Sequence, residues 1–172
     1  VQVEVIRSAK RRKTISARQV GDILRVSIPA SMTRAEEERW VGEMVQRMER
    51  QTRSKEVDLA ERARALAARY GLETPDSIRW VDNQLSRWGS CTPADRTVRV
   101  STRVSAFPGW VVDYVIVHEL AHLSVAAHNR RFWALVNRYP RAERARGFLI
   151  AKGLEDEADD DAADDAADFA QG

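Results

Sequence analysis

A single cysteine, Cys91, is all the thiol chemistry the sequence holds. No intramolecular disulfide can form, and a cysteine-rich zinc knuckle is excluded. The default compartment for such a chain is the reducing cytoplasm. Long hydrophobic runs are also missing. The most apolar stretch, Trp110 to Val117, is interrupted by Asp113 and falls far short of the roughly 18 residues a membrane span needs, so no membrane partner is expected. The first fifteen residues alternate and then turn basic, which does not read as a secretory signal. Histidine is scarce as well. There are three in 172 residues, and all lie between positions 118 and 128.

What remains is a globular composition, 44% hydrophobic and 31% charged, with length enough for one domain and a core. A monomer is the default. The net charge of +2 conceals an asymmetry. Before Glu155 stand 28 basic and 17 acidic residues, a net +11; Glu155–Asp168 holds nine acidic residues and no basic one. A basic body attracts anionic partners. Nucleic acid is the partner class to expect, through residues 7–13 and the Arg-rich remainder. The plainer reading is a surface that arginine simply keeps solvated.

The chain reads as α+β, with small antiparallel sheets and helices. Val1–Ile6 alternates with period two, Thr14–Val20 and Ile23–Ile28 are β-rich, and Gly21-Asp22 is a hairpin signal. An antiparallel meander over residues 1–30 is expected, with Arg7–Lys13 as an exposed basic turn. Thr33 and Glu36 form a capping box. Helices follow over 33–71, with Trp40, Met44, Val45 and Met48 as a stripe and Gly71 as the stop. Short strands are expected at Ile78–Val81, Leu85–Trp88 and Thr97–Ser101. Pro108 suits the first turn of a helix running from Gly109 to about Ser124. Arg131–Arg138 and Ala142–Lys152 complete the body, which is taken as a domain over 1–154 with its catalytic part at 77–154. Residues 155–172 are Asp/Ala-rich and too polar to offset chain entropy, so an acidic disordered tail is expected.

The sequence His118-Glu119-Leu120-Ala121-His122 is HExxH. Residues four apart on a helix lie about 6 Å apart on one face, so both imidazoles can reach one ion. Glu119 is turned about 100° away; it can reach a water at the metal rather than the metal itself. This is the division of labour a zinc peptidase needs. An open zinc site takes three protein ligands, and the remaining histidine is His128. On a continuous helix His128 would sit about 15 Å from His118 on another face. The helix must therefore break between Leu123 and Ala127, although Ser124-Val125-Ala126-Ala127 holds no strong breaker. The His-x5-His spacing also fits the metzincin pattern. Val125 stands where that pattern has glycine, and its side chain resists the turn, so that class is rejected. Histidines without a metal, and a purely structural zinc site, are the competing readings; the second leaves Glu119 without a role.

Arg87-Trp88-Gly89-Ser90-Cys91, Tyr114 through Leu123, His128 and Phe132-Trp133 closely resemble the YgjP-like metallopeptidase family, bacterial relatives of the SprT-like and WLM zincins. Ile6-Arg7-Ser8 through Arg11-Arg12-Lys13-Thr14-Ile15 is similar to that family's opening strands. The likeness covers residues 1–154. It implies a zincin-type domain with an HExxH active-site helix, one zinc ion on His118, His122 and His128, and Glu119 as base. It also implies an edge strand that aligns an extended peptide or protein substrate; Leu85–Cys91 or Thr97–Thr102 would serve.

Arg87, Trp88, Ser90, Cys91, Tyr114 and Tyr139 are the candidates for contact with substrate. Arg87, Tyr114 and Tyr139 are also the candidates for stabilising an oxyanion. Trp88, Trp133 and Cys91 have a plainer reading as packing residues. The expected activity is hydrolysis of a peptide bond by water that zinc activates and Glu119 deprotonates. Two other classes compete: a nucleic-acid-associated protein, including a DNA-linked protease, and an interaction scaffold with a vestigial zinc site.

Overall fold

The computed structural model describes residues 2–84 and 86–153. The expected acidic tail lies outside them. The fold is α+β and divides into two compact units, residues 1–52 and residues 53 onward. Among the described residues no helix is long and apolar enough to cross a membrane.

The first unit holds β1 (Gln2–Ser8), β2 (Ser16–Val20), β3 (Ile23–Pro29) and most of α1 (Arg34–Lys55). The expected meander is replaced by the order β1-β3-β2, with β1 parallel to β3 and β2 antiparallel to it. The reason is apolar content. Leu24, Val26 and Ile28 of β3 are buried, whereas every residue of β2 is exposed, so β3 takes the centre and β2 an edge. Gly21 makes the hairpin turn at φ 59°. The capping box forms: the Thr33 amide donates to Glu36 (2.9 Å) and the Glu36 amide to Thr33 Oγ1 (3.3 Å). Val41, rather than the expected Trp40, joins Met44, Val45 and Met48 against the sheet. Arg7 belongs to β1 rather than to the basic turn. Its guanidinium is engaged by the carbonyls of Ala30 and Met32 and the Glu37 carboxylate.

The second unit contains α2 (Leu59–Tyr70), β4 (Ser77–Val81), β5 (Gly89–Thr92), β6 (Thr97–Ser101), α3 (Gly109–Ala121), α4 (Arg130–Val136) and α5 (Ala142–Ala151). Its sheet has the order β4-β6-β5, with β4 parallel and β5 antiparallel to β6. Both sheets are thus mixed where antiparallel ones were expected. Of the strand expected at Leu85–Trp88, Leu85 lies outside the described residues and the other three are not in a strand; β5 begins at Gly89. Trp88 is instead drawn into the core, 2% exposed, with its ring edge-on to Phe107 and beneath the Arg103 guanidinium.

At the centre of this unit stands α3. Every residue from Val111 to Ala121 except Asp113 is buried, and α2, α4, α5, β5 and β6 all contact the helix. Valine and isoleucine have modest helix propensity, but a helix apolar all round is stabilised by burial rather than by propensity. Arg62 ties α2 to α3, its Nε 2.5 Å from Asp113 Oδ1. Asp58 caps α2 by accepting from the Glu61 amide at 2.9 Å, and Gly71 closes it at φ 63°. Asp58→Ala is expected to cost about 1 kcal/mol, seen as a melting-point fall of about 2–4 °C for a chain this long.

Candidate metal centre

The required break before His128 is present, and it begins earlier than the expected Leu123–Ala127. The α3 helix ends at Ala121, and His122 is its cap residue. The Leu123 and Ser124 amides bond to Leu120 and Ala121 (both 3.1 Å), which tightens the last turn to i→i−3 spacing. No left-handed residue is involved; Arg96, at φ 49°, is the sole non-glycine with positive φ among the described residues. Side chains hold the break instead. Val125 is buried. Ser124 Oγ donates to Glu73 Oε1 at 2.6 Å. Asn129 then restarts the helix as the cap of α4, its Oδ1 accepting from the Arg131 and Phe132 amides at 3.0 and 3.1 Å.

Glu73 is fastened from the other side. Arg96 Nη1 donates to Glu73 Oε2 at 2.6 Å, and the same guanidinium reaches Asp76 and the Thr74 carbonyl. The Ser124 hydroxyl first, then Arg96, lowers the Glu73 pKa below its ordinary value. The β5–β6 turn and the 122–128 segment are thus joined through one carboxylate.

The result is a convergence of three imidazoles. His128 Nε2 lies 3.2 Å from His118 Nε2 and 3.0 Å from His122 Nε2. These distances can be tested against a metal. Two nitrogens at about 2.0–2.1 Å from a tetrahedral zinc stand about 3.3 Å apart. Both measured separations match such an ion, and the three donor nitrogens all lie within 4.8 Å of one another. Hydrogen bonding among the rings is a poorer account. A proton on His128 Nε2 can point at only one of the two neighbouring nitrogens and leaves the other lone pair without a donor. His122 Nδ1 lies 3.1 Å from the Val125 carbonyl; donation there leaves its Nε2 as an acceptor. Burial drives the His118 pKa well below its ordinary value, and His122, His128 and Arg146 push it the same way. The His118 ring is therefore neutral, with a lone pair to offer.

Beside the histidines is a cavity of about 210 Å³ lined by Arg87, Gly89, Ser90, Cys91, Pro93, His118, Glu119, His122 and Ala126. Glu119 is buried, 6% exposed, yet lines this cavity. It lies against the backbone of β5. A Cβ on Gly89 would sit 2.7 Å from Glu119 Cγ and 2.8 Å from Cδ, closer than atoms can approach. Gly89 and Cys91 pair with Val100 and Val98 and so share their face of the sheet.

Of the sequence candidates, Arg87, Ser90 and Cys91 line the cavity with Glu119. Trp88, Tyr114 and Tyr139 do not. Trp88 is core. Tyr114 is buried one turn before His118, their ring centroids 6.0 Å apart. Tyr139 lines a separate cavity with Arg62 and Asp113, and its hydroxyl donates to the Trp110 carbonyl at 2.9 Å. Burial, then Asp113, pushes that phenol up to about 12. Cys91 is half-buried, and burial followed by the Glu119 charge pushes its thiol up to about 11. It is a protonated lining group, not a thiolate. Gly89, Glu73 and Ser124 were absent from the sequence candidates. A glycine next to a strand signal could have marked Gly89 as a point of close approach. Nothing local marks Glu73, which is 51 residues from Ser124.

The sequence model of the YgjP-like metallopeptidase domain matches residues 11–149. The chain belongs to the YgjP-like family. The match includes all three histidines, Glu119 and the β5 strand. No curated relative matches the chain significantly. Among solved structures, this YgjP-like chain is similar to the metallopeptidase zymogen abylysin of Pyrococcus abyssi, with 20% identity, TM-score 0.49, and coverage of 56% of this chain and 95% of that one. It is also similar to the metallopeptidase zymogen jannalysin of Methanocaldococcus jannaschii, with 17% identity, TM-score 0.46, and coverage of 56% and 97%.

Gly89→Ala is expected to destabilise by about 1–3 kcal/mol through overpacking, measured by urea denaturation. Because the folded pKa of Glu73 is depressed, its contribution is present above the unfolded value and lost as pH falls through the folded one. Wild type should therefore exceed Glu73→Gln in stability at pH 7. The difference should shrink at pH 3, as paired denaturation curves will show.

Proposed function

We propose that this protein is a zinc-dependent peptidase in which His118, His122 and His128 hold the ion through Nε2 and Glu119 is the general base. The observation that carries the reading is the meeting of three Nε2 atoms beside a cavity that a buried carboxylate also lines. A zinc ion held there supplies Lewis acidity and lowers the pKa of a water toward neutrality. Glu119 accepts a proton from a water in the cavity and returns it to the leaving amine. Its place against Gly89 limits where its oxygens can go, which favours one proton-transfer geometry. Arg87 lines the cavity mouth and is exposed; a guanidinium there suits a developing oxyanion or a substrate carbonyl.

Two strands were candidates for aligning substrate. β6 lies between β4 and β5 and pairs on both sides, so it offers no edge. β5 is an edge strand, and three of its residues line the cavity. An extended peptide added to β5 would pass the histidines and Glu119, which supports a peptide rather than a small amide as substrate. The working domain is taken as residues 1–154.

The test pairs metal content with turnover. Glu119→Gln should keep one zinc per chain by elemental analysis while cleavage of an unfolded protein substrate falls about 10²–10⁴-fold. Wild-type cleavage rates in that variant would remove Glu119 as the base. Wild-type protein that binds zinc tightly and cleaves no peptide would remove the peptidase reading.

A further inference from the structure

The three imidazoles are not supported equally. His118 is fixed by the interior of α3. His122 caps that helix, and its Nδ1 is engaged by the Val125 carbonyl. His128 lies in neither helix nor strand. Among the described residues, the hydrogen-bonding contacts of its ring are those of Nε2 with the other two histidines. A metal-ligating imidazole is ordinarily oriented by a hydrogen bond from its second nitrogen to a carbonyl or carboxylate. His128 has rings in that place.

Trp133 stacks on His128, with centroids 5.7 Å apart and planes 27° apart. Phe132 meets His128 edge-on at 4.7 Å and stacks on His122 at 4.4 Å and 30°. The two aromatics differ in burial. Phe132 is fully buried, as a core residue is, whereas Trp133 is only half-buried. The indole is itself held, since the Arg146 guanidinium of α5 lies over it at 4.4 Å. The backbone also fixes the pair. Asn129 caps α4 one residue after His128, and the Trp133 amide donates to the Asn129 carbonyl at 3.1 Å.

We propose that Trp133 is a positioning residue of the metal centre. Its indole face sets the ring plane of His128, as the Val125 carbonyl sets that of His122, and Arg146 holds the indole in place. This inference rests on the zinc reading above.

The competing account is that Trp133 only packs, and two substitutions separate the two. Trp133→Phe keeps a flat face for His128; Trp133→Leu keeps apolar bulk without one. Zinc dissociation constants are measured on the full-length chain by chelator competition, with metal-free melting temperatures alongside. Trp133→Leu should weaken zinc binding about 10–100-fold, the usual cost of losing a group that orients a ligand. Trp133→Phe should stay near wild type, while the two metal-free variants melt close together. Cobalt(II)-loaded Trp133→Leu should show shifted d–d absorption bands, and cobalt-loaded Trp133→Phe should not.

Equal zinc affinity in Leu and Phe variants would overturn the proposal. So would a loss of affinity in Trp133→Leu matched by an equal loss of metal-free stability. Wild type that binds no zinc, or His128→Ala that binds as tightly as wild type, would overturn the metal centre itself and the role of Trp133 with it.

Discussion

Burial of α3 on all sides is the constraint on which the second unit depends. A helix surrounded by two β-strands and three other helices cannot rotate or slide without opening the core. HExxH occupies its last turn, so His118 and Glu119 inherit that rigidity. The same burial sets their chemistry. It keeps His118 neutral and brings the Glu119 side chain against a backbone that has no Cβ to resist it. What a surface helix would have to achieve by ordering side chains is already present in the fold.

The helix alone cannot complete the site. One helical face supplies two of the imidazoles, and the third must come from chain that has left the helix and turned back. Here the turn is made without glycine or proline. Ser124, Glu73 and Arg96 draw the segment toward the β5–β6 turn, Val125 buries its side chain, and Asn129 restarts a helix. The geometry of three imidazoles thus depends on contacts spread over more than fifty residues of sequence.

This division explains what was legible in the sequence. HExxH, the capping box, Gly21 and Gly71 are local signals and were readable as such. So was the need for a break before His128, because helical geometry forbids the alternative. The means of the break was not readable, since Glu73 and Arg96 are remote and act through side-chain bonds. Strand order was misjudged for a related reason. Alternation in β1 and β-rich composition in β2 and β3 mark all three as strands, but which one sits in the middle depends on the buried area each can offer. Trp88 shows the same limit: it read as strand, yet it packs in the core just before β5 begins at Gly89.

The donor atoms at the centre are all ring nitrogens, and the chain's only sulfur nucleophile is a protonated, half-buried thiol at the cavity wall. Thiolate centres are emptied when oxidants convert their sulfurs to disulfides or sulfenic acids. Imidazole has no such ladder of oxidation states. A centre built on these three rings would hold no thiolate donor for peroxide to oxidise, and Cys91, the chain's one thiol, is itself slow to react while protonated.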